Sequence, residues 1–346
     1  MNLGGSVRFN KTGICIIAIF GIILIIYMTR SINVDTTSKF DNQKSNDLSM
    51  SKLLLAAINM AEKGGLEVVN IKNKQNLNIK SKGLTNDGVV NPVTEADLNS
   101  HCVMFYGLKK LFPALQIISE EERSEKECEE VVTKQIFDLD GLVNFDPSKV
   151  VEEVLPIQDI TVWIDPLDAT KEFTENLLEY ITTLVCVAYK GIPIMGVIHR
   201  PFGTLPKTSW AWVNKAKSED LNPIKKTEEV IIISRSHIGE GMKMVHNAFG
   251  DDVKVVTAGG AGYKVMQLVT GNATAYIHSK YISKWDICAG NAILNALGGH
   301  MTTLKNEDLD YSSSSNFKNS QGLIATVTNH DYYANKLKKF IADNIV

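Results

Sequence analysis

The chain has 346 residues, 44% of them apolar and 22% charged, the balance of an ordinary globular protein able to bury one large or two medium domains. A formal net charge of -3 with no long Lys/Arg block excludes the electrostatic footprint of a protein that grips a polymeric nucleic acid. The five cysteines, Cys15, Cys102, Cys128, Cys186 and Cys288, lie far apart without a CxxC pair or a histidine at zinc-ligand spacing, which excludes a zinc site and a dense disulfide scaffold.

Residues 14–28 (ICIIAIFGIILIIYM) are free of charge and flanked by Arg8, Lys11 and Arg30. With one residue added at each end they reach the lower end of the roughly 17 to 25 residues that a spanning helix needs. No small-x-small cleavage site follows, so the segment reads as an uncleaved transmembrane anchor over 13–29 rather than a signal peptide, preceded by a short tail over 1–12. So short a span suits the thin membranes of the Golgi or endoplasmic reticulum, while basic residues on both sides orient it only weakly. Residues 30–50 are polar and aperiodic, a tether to a folded domain over 51–346 in two subdomains that meet near 225.

In SKLLLAAINMAEKGGLEVVN, Leu54, Ala57, Ile58 and Ala61 fall on one helix face and Gly64-Gly65 reads as the stop. A second helix is expected from about 94 to 111, with Pro113 beyond its end, followed by a short strand LQIIS ending at Glu120. Residues 121–159 are acidic and irregular and read as a solvated surface excursion without chemistry. Then DITVW alternates Ile160, Val162 and Ile164 as in a half-buried strand. The runs ITTLVCVAY, IPIMGVIH, SWAWV and EVIIIS predict a mostly antiparallel sheet. Beyond them strand and helix alternate: VKVVT, the turn AGGAG, YKVMQLVTG, ATAYIHS, WDICAGNAILNALGGH, MTTL, GLIATV and a last helix from His330, which predicts stacked layers of helix and sheet.

The strand DITVW runs into Asp165-Pro-Leu-Asp168. Two carboxylates at i and i+3, with Pro166 favouring a turn between them, repel if they share one space. A raised pKa in an acid/base dyad relieves the repulsion, and so does a hard divalent cation such as Mg2+; alternatively one Asp caps a helix and the other is solvated. Further acids at element ends bear on the choice: Glu120 in SEE after a strand, and Asp286 in WD at a helix start. Cys288, two residues beyond Asp286, reads as a packed helix residue because a thiolate is a poor Mg2+ ligand. Asn272-Ala-Thr274 is a glycosylation sequon in a turn, usable if the domain is lumenal.

Taken together, SEE, WIDPLDAT and WDICAGNAIL, in this order and at these separations, resemble the magnesium-dependent, lithium-sensitive phosphatase superfamily of inositol monophosphatases and bisphosphate nucleotidases, over residues 51–346. The resemblance implies a layered α-β-α-β-α sandwich of the α+β class. It implies two or three Mg2+ ions held by Glu120, Asp165, the carbonyl of Leu167, Asp168 and Asp286. Asp97 in NPVTEAD and Thr170 would orient the attacking water, and the start of the helix at Ala169 and Thr170 would cradle the phosphate, with Asp168 and Asp286 also touching substrate. Asn91 departs from the Asp common among relatives. ITTLVCVAYKGIPIMGVIHRPF, ISRSH and AGGAGYKV are most similar to the bisphosphate nucleotidase branch, where Ser234, His237, Gly260 and Lys264 would contact the nucleotide. That branch implies hydrolysis of 3'-phosphoadenosine 5'-phosphate to AMP and phosphate by a type II Golgi membrane protein with a lumenal domain, in support of sulfation; the oligomeric state is left open by the sequence, with a homodimer one option. Inositol phosphate is the alternative substrate. A silent nucleotide-binding or scaffold protein is the alternative of another class, opposed by the presence of all four acids and Thr170.

Overall fold

The computed structural model describes residues 47–74, 77–84, 90–137, 150–224, 228–313 and 316–344. The expected anchor, tail and most of the tether lie outside these; among the described residues no helix is long and apolar enough to cross a membrane.

The first long helix, α1 (Met50–Asn73), is capped by Ser49, whose hydroxyl accepts from the N–H of Lys52 at 3.3 Å. It runs straight through Gly64-Gly65, contrary to the expected stop. A Cβ on Gly64 would lie 2.5 Å from the Met104 sulfur, and one on Gly65 would enter the His199 ring. The glycines are there for close approach, and packing on both sides overrides their poor helix propensity. A hairpin follows, β1 (Lys80–Leu84) with β2 (Val90–Val93), and then α2 (Glu95–Leu111). Next come β3 (Gln116–Ser119) and α3 (Glu125–Thr133). The acidic segment is therefore not merely irregular: α3 lies within it, tied to α2 by a Cys102–Cys128 disulfide, and a short strand Val154–Pro156 closes it, while 138–149 lie outside the described residues.

Strand β4 (Ile160–Asp168) leads into a single turn of helix, α4 (Thr170–Thr174). The strands β5 (Thr182–Tyr189), β6 (Ile192–Arg200), β7 (Lys207–Trp212) and β8 (Ala216–Lys217) complete a six-stranded sheet in the order β8-β7-β6-β5-β4-β3. It is antiparallel except for the parallel pair β3 and β4. Because both faces are covered, all nine residues of β4 are buried, not alternate ones. Ile160, Val162 and Ile164 face α1 and α2, and Trp163 faces the opposite layer.

The second sheet contains β9 (Val230–Ser234), β10 (Lys254–Ala258), β11 (Ala275–His278), β12 (His300–Thr302) and β13 (Leu323–Thr326), in the order β10-β9-β11-β13-β12. EVIIIS, expected in the antiparallel sheet, is β9 and pairs parallel on both sides, its chain direction set by the helical crossovers that follow it. The helices α5 (Ile238–Phe249) and α8 (His330–Asn344) cover the outer face of this sheet, and α6 (Ala261–Val269) and α7 (Lys284–Ala296) fill the space between the sheets. The layers thus run α-β-α-β-α, with the largest apolar cluster in the middle.

Candidate active site

The spacing of Asp165 and Asp168 has a structural cause. In an undistorted strand, residues three apart point to opposite faces. Here Asp165 pairs with Leu184 and Asp168 with Thr182, three residues against two, so Pro166-Leu167 form a bulge that brings both carboxylates to one face.

The two remaining acids arrive separately. Glu120 follows β3, its N–H bonded to the Ile164 carbonyl at 3.1 Å, which extends the parallel ladder beside Asp165. Asp286 is the third residue of α7 and accepts from the Ser283 N–H at 3.1 Å in a capping box that fixes its side chain at the helix start. One carboxylate oxygen from each of Glu120, Asp165 and Asp286 lies within 4.8 Å of the others. Burial, and then the neighbouring charges beginning with Glu120, push the carboxyl groups of Asp165 and Asp286 well above the usual range. Three hard oxygen donors that cannot comfortably share their charge fit a divalent cation, since opposite Mg2+ ligands stand roughly 4.2 Å apart.

Asp168 is placed differently. Its Oδ1 accepts from the N–H of Ala261 at 3.1 Å and its Oδ2 from Gly262 at 2.8 Å and the Thr182 hydroxyl at 2.9 Å. It caps the start of α6, far along the chain, and its pKa is raised by burial against these bonds and Lys264. Gly260 (φ 62°) makes this approach possible: a Cβ there would lie 3.0 Å from Asp168 Oδ2 and 2.7 Å from the Tyr180 carbonyl. The group that comes close to the glycine turn is thus the chain's own carboxylate.

Thr170 donates to Asp97 Oδ1 at 2.7 Å, with the Leu167 carbonyl a second acceptor at 3.1 Å. Asp97 is itself a capping-box residue of α2, its Oδ2 accepting from the Thr94 N–H at 2.8 Å and the Thr94 hydroxyl at 2.6 Å. Burial raises its carboxyl to about 6 despite these bonds. Ala169, between Asp168 and Thr170, adopts the left-handed conformation (φ 73°, ψ 42°), a cost of about 1–2 kcal/mol for a non-glycine residue, held where the strand turns into α4.

Of the expected substrate contacts, Ser234 ends β9 beside Ala258 of β10, so it and Gly260 share the carboxyl ends of two parallel strands. His237 lies in the turn Arg235–His237; its side chain lies outside what is described, as does that of Asn91. Lys264 is only 4% exposed: its ammonium donates to the Gly260 carbonyl at 2.6 Å, lies over the Tyr276 ring, and is lowered to about 8 by burial. It supports the turn from beneath instead of reaching into solvent. Sequence reasoning missed Lys82 on β1, whose ammonium bonds Glu120 at 3.0 Å and also Glu121. Glu121 is raised to about 7 by burial and by Glu120. Nothing in KGLTNDG signals that contact. Also unforeseen was a disulfide joining Cys186 to Cys288, so Cys288 is packed as expected but also cross-linked.

The inositol monophosphatase family model matches residues 49–341. A putative inositol monophosphatase 3 of Drosophila melanogaster is 42% identical over 346 aligned residues, covering 97% of this chain and 96% of that one. The Golgi-resident adenosine 3',5'-bisphosphate 3'-phosphatase of Mus musculus is 42% identical over 302 residues, covering 84% of this chain and 82% of its own. Among solved structures, the extragenic suppressor protein suhB of Bartonella henselae matches with a TM-score of 0.61 at 18% identity, covering 84% of this chain and 98% of that one.

Proposed function

Since the chain belongs to the inositol monophosphatase family, we propose that it is a Mg2+-dependent phosphomonoesterase that removes the 3'-phosphate of 3'-phosphoadenosine 5'-phosphate (adenosine 3',5'-bisphosphate), giving AMP and phosphate. The observation that carries the chemistry is the convergence of Glu120, Asp165 and Asp286 beside a Thr170–Asp97 hydrogen bond. Mg2+ held by those three acids, with Asp168 and the Leu167 carbonyl adjoining, would supply charge neutralisation for phosphoryl transfer. Two or three ions belong to this reading.

The chain's own residues then handle the proton. Because Thr170 donates its hydroxyl hydrogen to Asp97, its lone pairs are left to accept a hydrogen from water, which aims the water's own lone pair at phosphorus. As the water's O–H breaks and its oxygen bonds phosphorus, Thr170 takes that proton and passes its own to Asp97, whose burial places its carboxyl near the operating pH, while the bond from phosphorus to the 3'-oxygen breaks and that oxygen takes a proton from solvent. Ala169 and the start of α4 would face the transferring phosphate, with Ser234, His237 and the Gly260 turn toward the nucleoside.

For location, we propose a type II anchor over 13–29 with the domain in the Golgi lumen, where this hydrolysis would clear a by-product of sulfation. Support comes from the relatives named as Golgi-resident and from the two disulfides, which fit an oxidising compartment. The test is phosphate release by the full chain from adenosine 3',5'-bisphosphate and from inositol 1-phosphate, with Mg2+ and with added Li+. Preferential, lithium-inhibited turnover of the nucleotide is expected; equal or faster turnover of the inositol ester refutes the substrate assignment.

A further inference from the structure

The Cys186–Cys288 disulfide spans 102 residues and joins α7, which carries Asp286, to β5, the strand paired with the one that carries Asp165. Cys186 lies on β5 directly opposite Trp163 of β4, two residues before Asp165. Cys288 lies on α7, two residues after Asp286, about 3 Å along the helix axis. Both residues are buried, at 1% and 0% exposure. Around the bond, α7 meets the sheet through Ile287, Ala289, Ala292 and Ile293, an apolar contact with no directional preference. The like charges of the acids tend to part the helix from the strand; the covalent link resists that parting beside the apolar contact of Ile287, with the hydrogen bonds of Asn291 and Trp163 to Tyr311 further along.

We infer that the Cys186–Cys288 disulfide is a positioning element of the cation site, holding the helix-borne Asp286 in register with the strand-borne Asp165 so that the acids meet an ion already assembled. The inference rests on the reading of these acids as a divalent-cation site. It assigns the bond a role beyond general stability; the second disulfide joins α2 to α3, neither of which carries one of the three converging acids.

The test is direct Mn2+ binding, followed by electron paramagnetic resonance of the free ion, on the full chain and on the Cys186→Ala/Cys288→Ala pair. Loss of a supporting contact to a ligand shell weakens metal binding on the order of 10-fold or more, and that rise in Kd is expected for the pair. The comparison is Leu337→Ala, which loosens a remote core on α8 and should keep the wild-type Kd. Tight wild-type binding that is unchanged in a folded cysteine pair overturns the positioning role alone; absence of Mn2+ binding by the wild-type chain overturns the cation site and the inference with it. If the double variant does not fold, the wild-type chain is reduced slowly with dithiothreitol and its thiols are mapped by alkylation. Bound Mn2+ should then protect Cys186–Cys288 more than Cys102–Cys128, and equal protection overturns the inference.

Discussion

Replacing Asp165 by Asn should make the metal-free protein more stable and the metal-bound protein less so. The Oδ1 that accepts from the Leu167 N–H at 3.1 Å survives in Asn, so the local turn is kept and only the charge is lost. Asp165 faces Glu120, which Lys82 offsets in part, then Asp168 and Asp286, with an oxygen of Asp286 within 4.8 Å. At an effective dielectric constant near 20, two charges 4.8 Å apart repel by about 3.5 kcal/mol, the scale of what Asp165→Asn recovers in EDTA at neutral pH. The pH dependence follows in sign: the folded carboxyl is raised above its unfolded value near 4, so the wild type is most stable when Asp165 is protonated. Its metal-free form therefore loses stability as pH rises from about 4 through the folded pKa, and the variant should show a flatter slope. An ion at about 100 times its Kd stabilises the wild type by about 2.7 kcal/mol, and most of that gain should vanish in the variant. Urea unfolding in EDTA and in excess Mg2+, across pH, measures all of this. A variant less stable than wild type in EDTA, or one that keeps the full Mg2+ gain, would refute the reasoning.

Other outcomes follow from the same geometry. Thr170→Val should lower kcat by about 100-fold or more while leaving Mn2+ affinity near wild type, because it removes the water-orienting hydroxyl and no carboxylate; steady-state kinetics beside a binding titration separates the two. Lys82→Met strips the counter-charge from Glu120 and Glu121 and should cost about 1–2 kcal/mol in EDTA, with part of the loss restored by Mg2+ in thermal melts. Gly65→Ala drives a methyl group into the His199 ring and should destabilise by about 1–3 kcal/mol in urea, although alanine is the better helix former.

Much of the site was legible because its acids sit at element ends, and those ends carry local signals: apolar runs before Glu120 and Asp165, and an apolar helix opening at Asp286. Their convergence was not legible from physics alone, since 45 residues separate Glu120 from Asp165 and nothing local encodes how β3 is placed beside β4; the family motifs supplied that link. The partners of Asp168 were hidden for the same reason, being backbone groups of Ala261 and Gly262 whose sequence says only that a turn is present. Gly64-Gly65 misled because a stop signal and a close-packing signal are the same two letters, and only the neighbouring Met104 and His199 distinguish them. Cysteine spacing likewise does not encode pairing, so both disulfides emerged only with the fold.

The sheet that carries Asp165 ends on one side in β8, two residues long, and on the other in β3, four residues long. A flat, long border strand invites another chain to add itself by backbone pairing. These borders present almost no ladder to extend, so the six-stranded sheet does not readily propagate from molecule to molecule. A homodimer of this protein would therefore be built from side-chain surfaces, and substitutions that disrupt it should be sought on helix and loop faces and not along the strand borders.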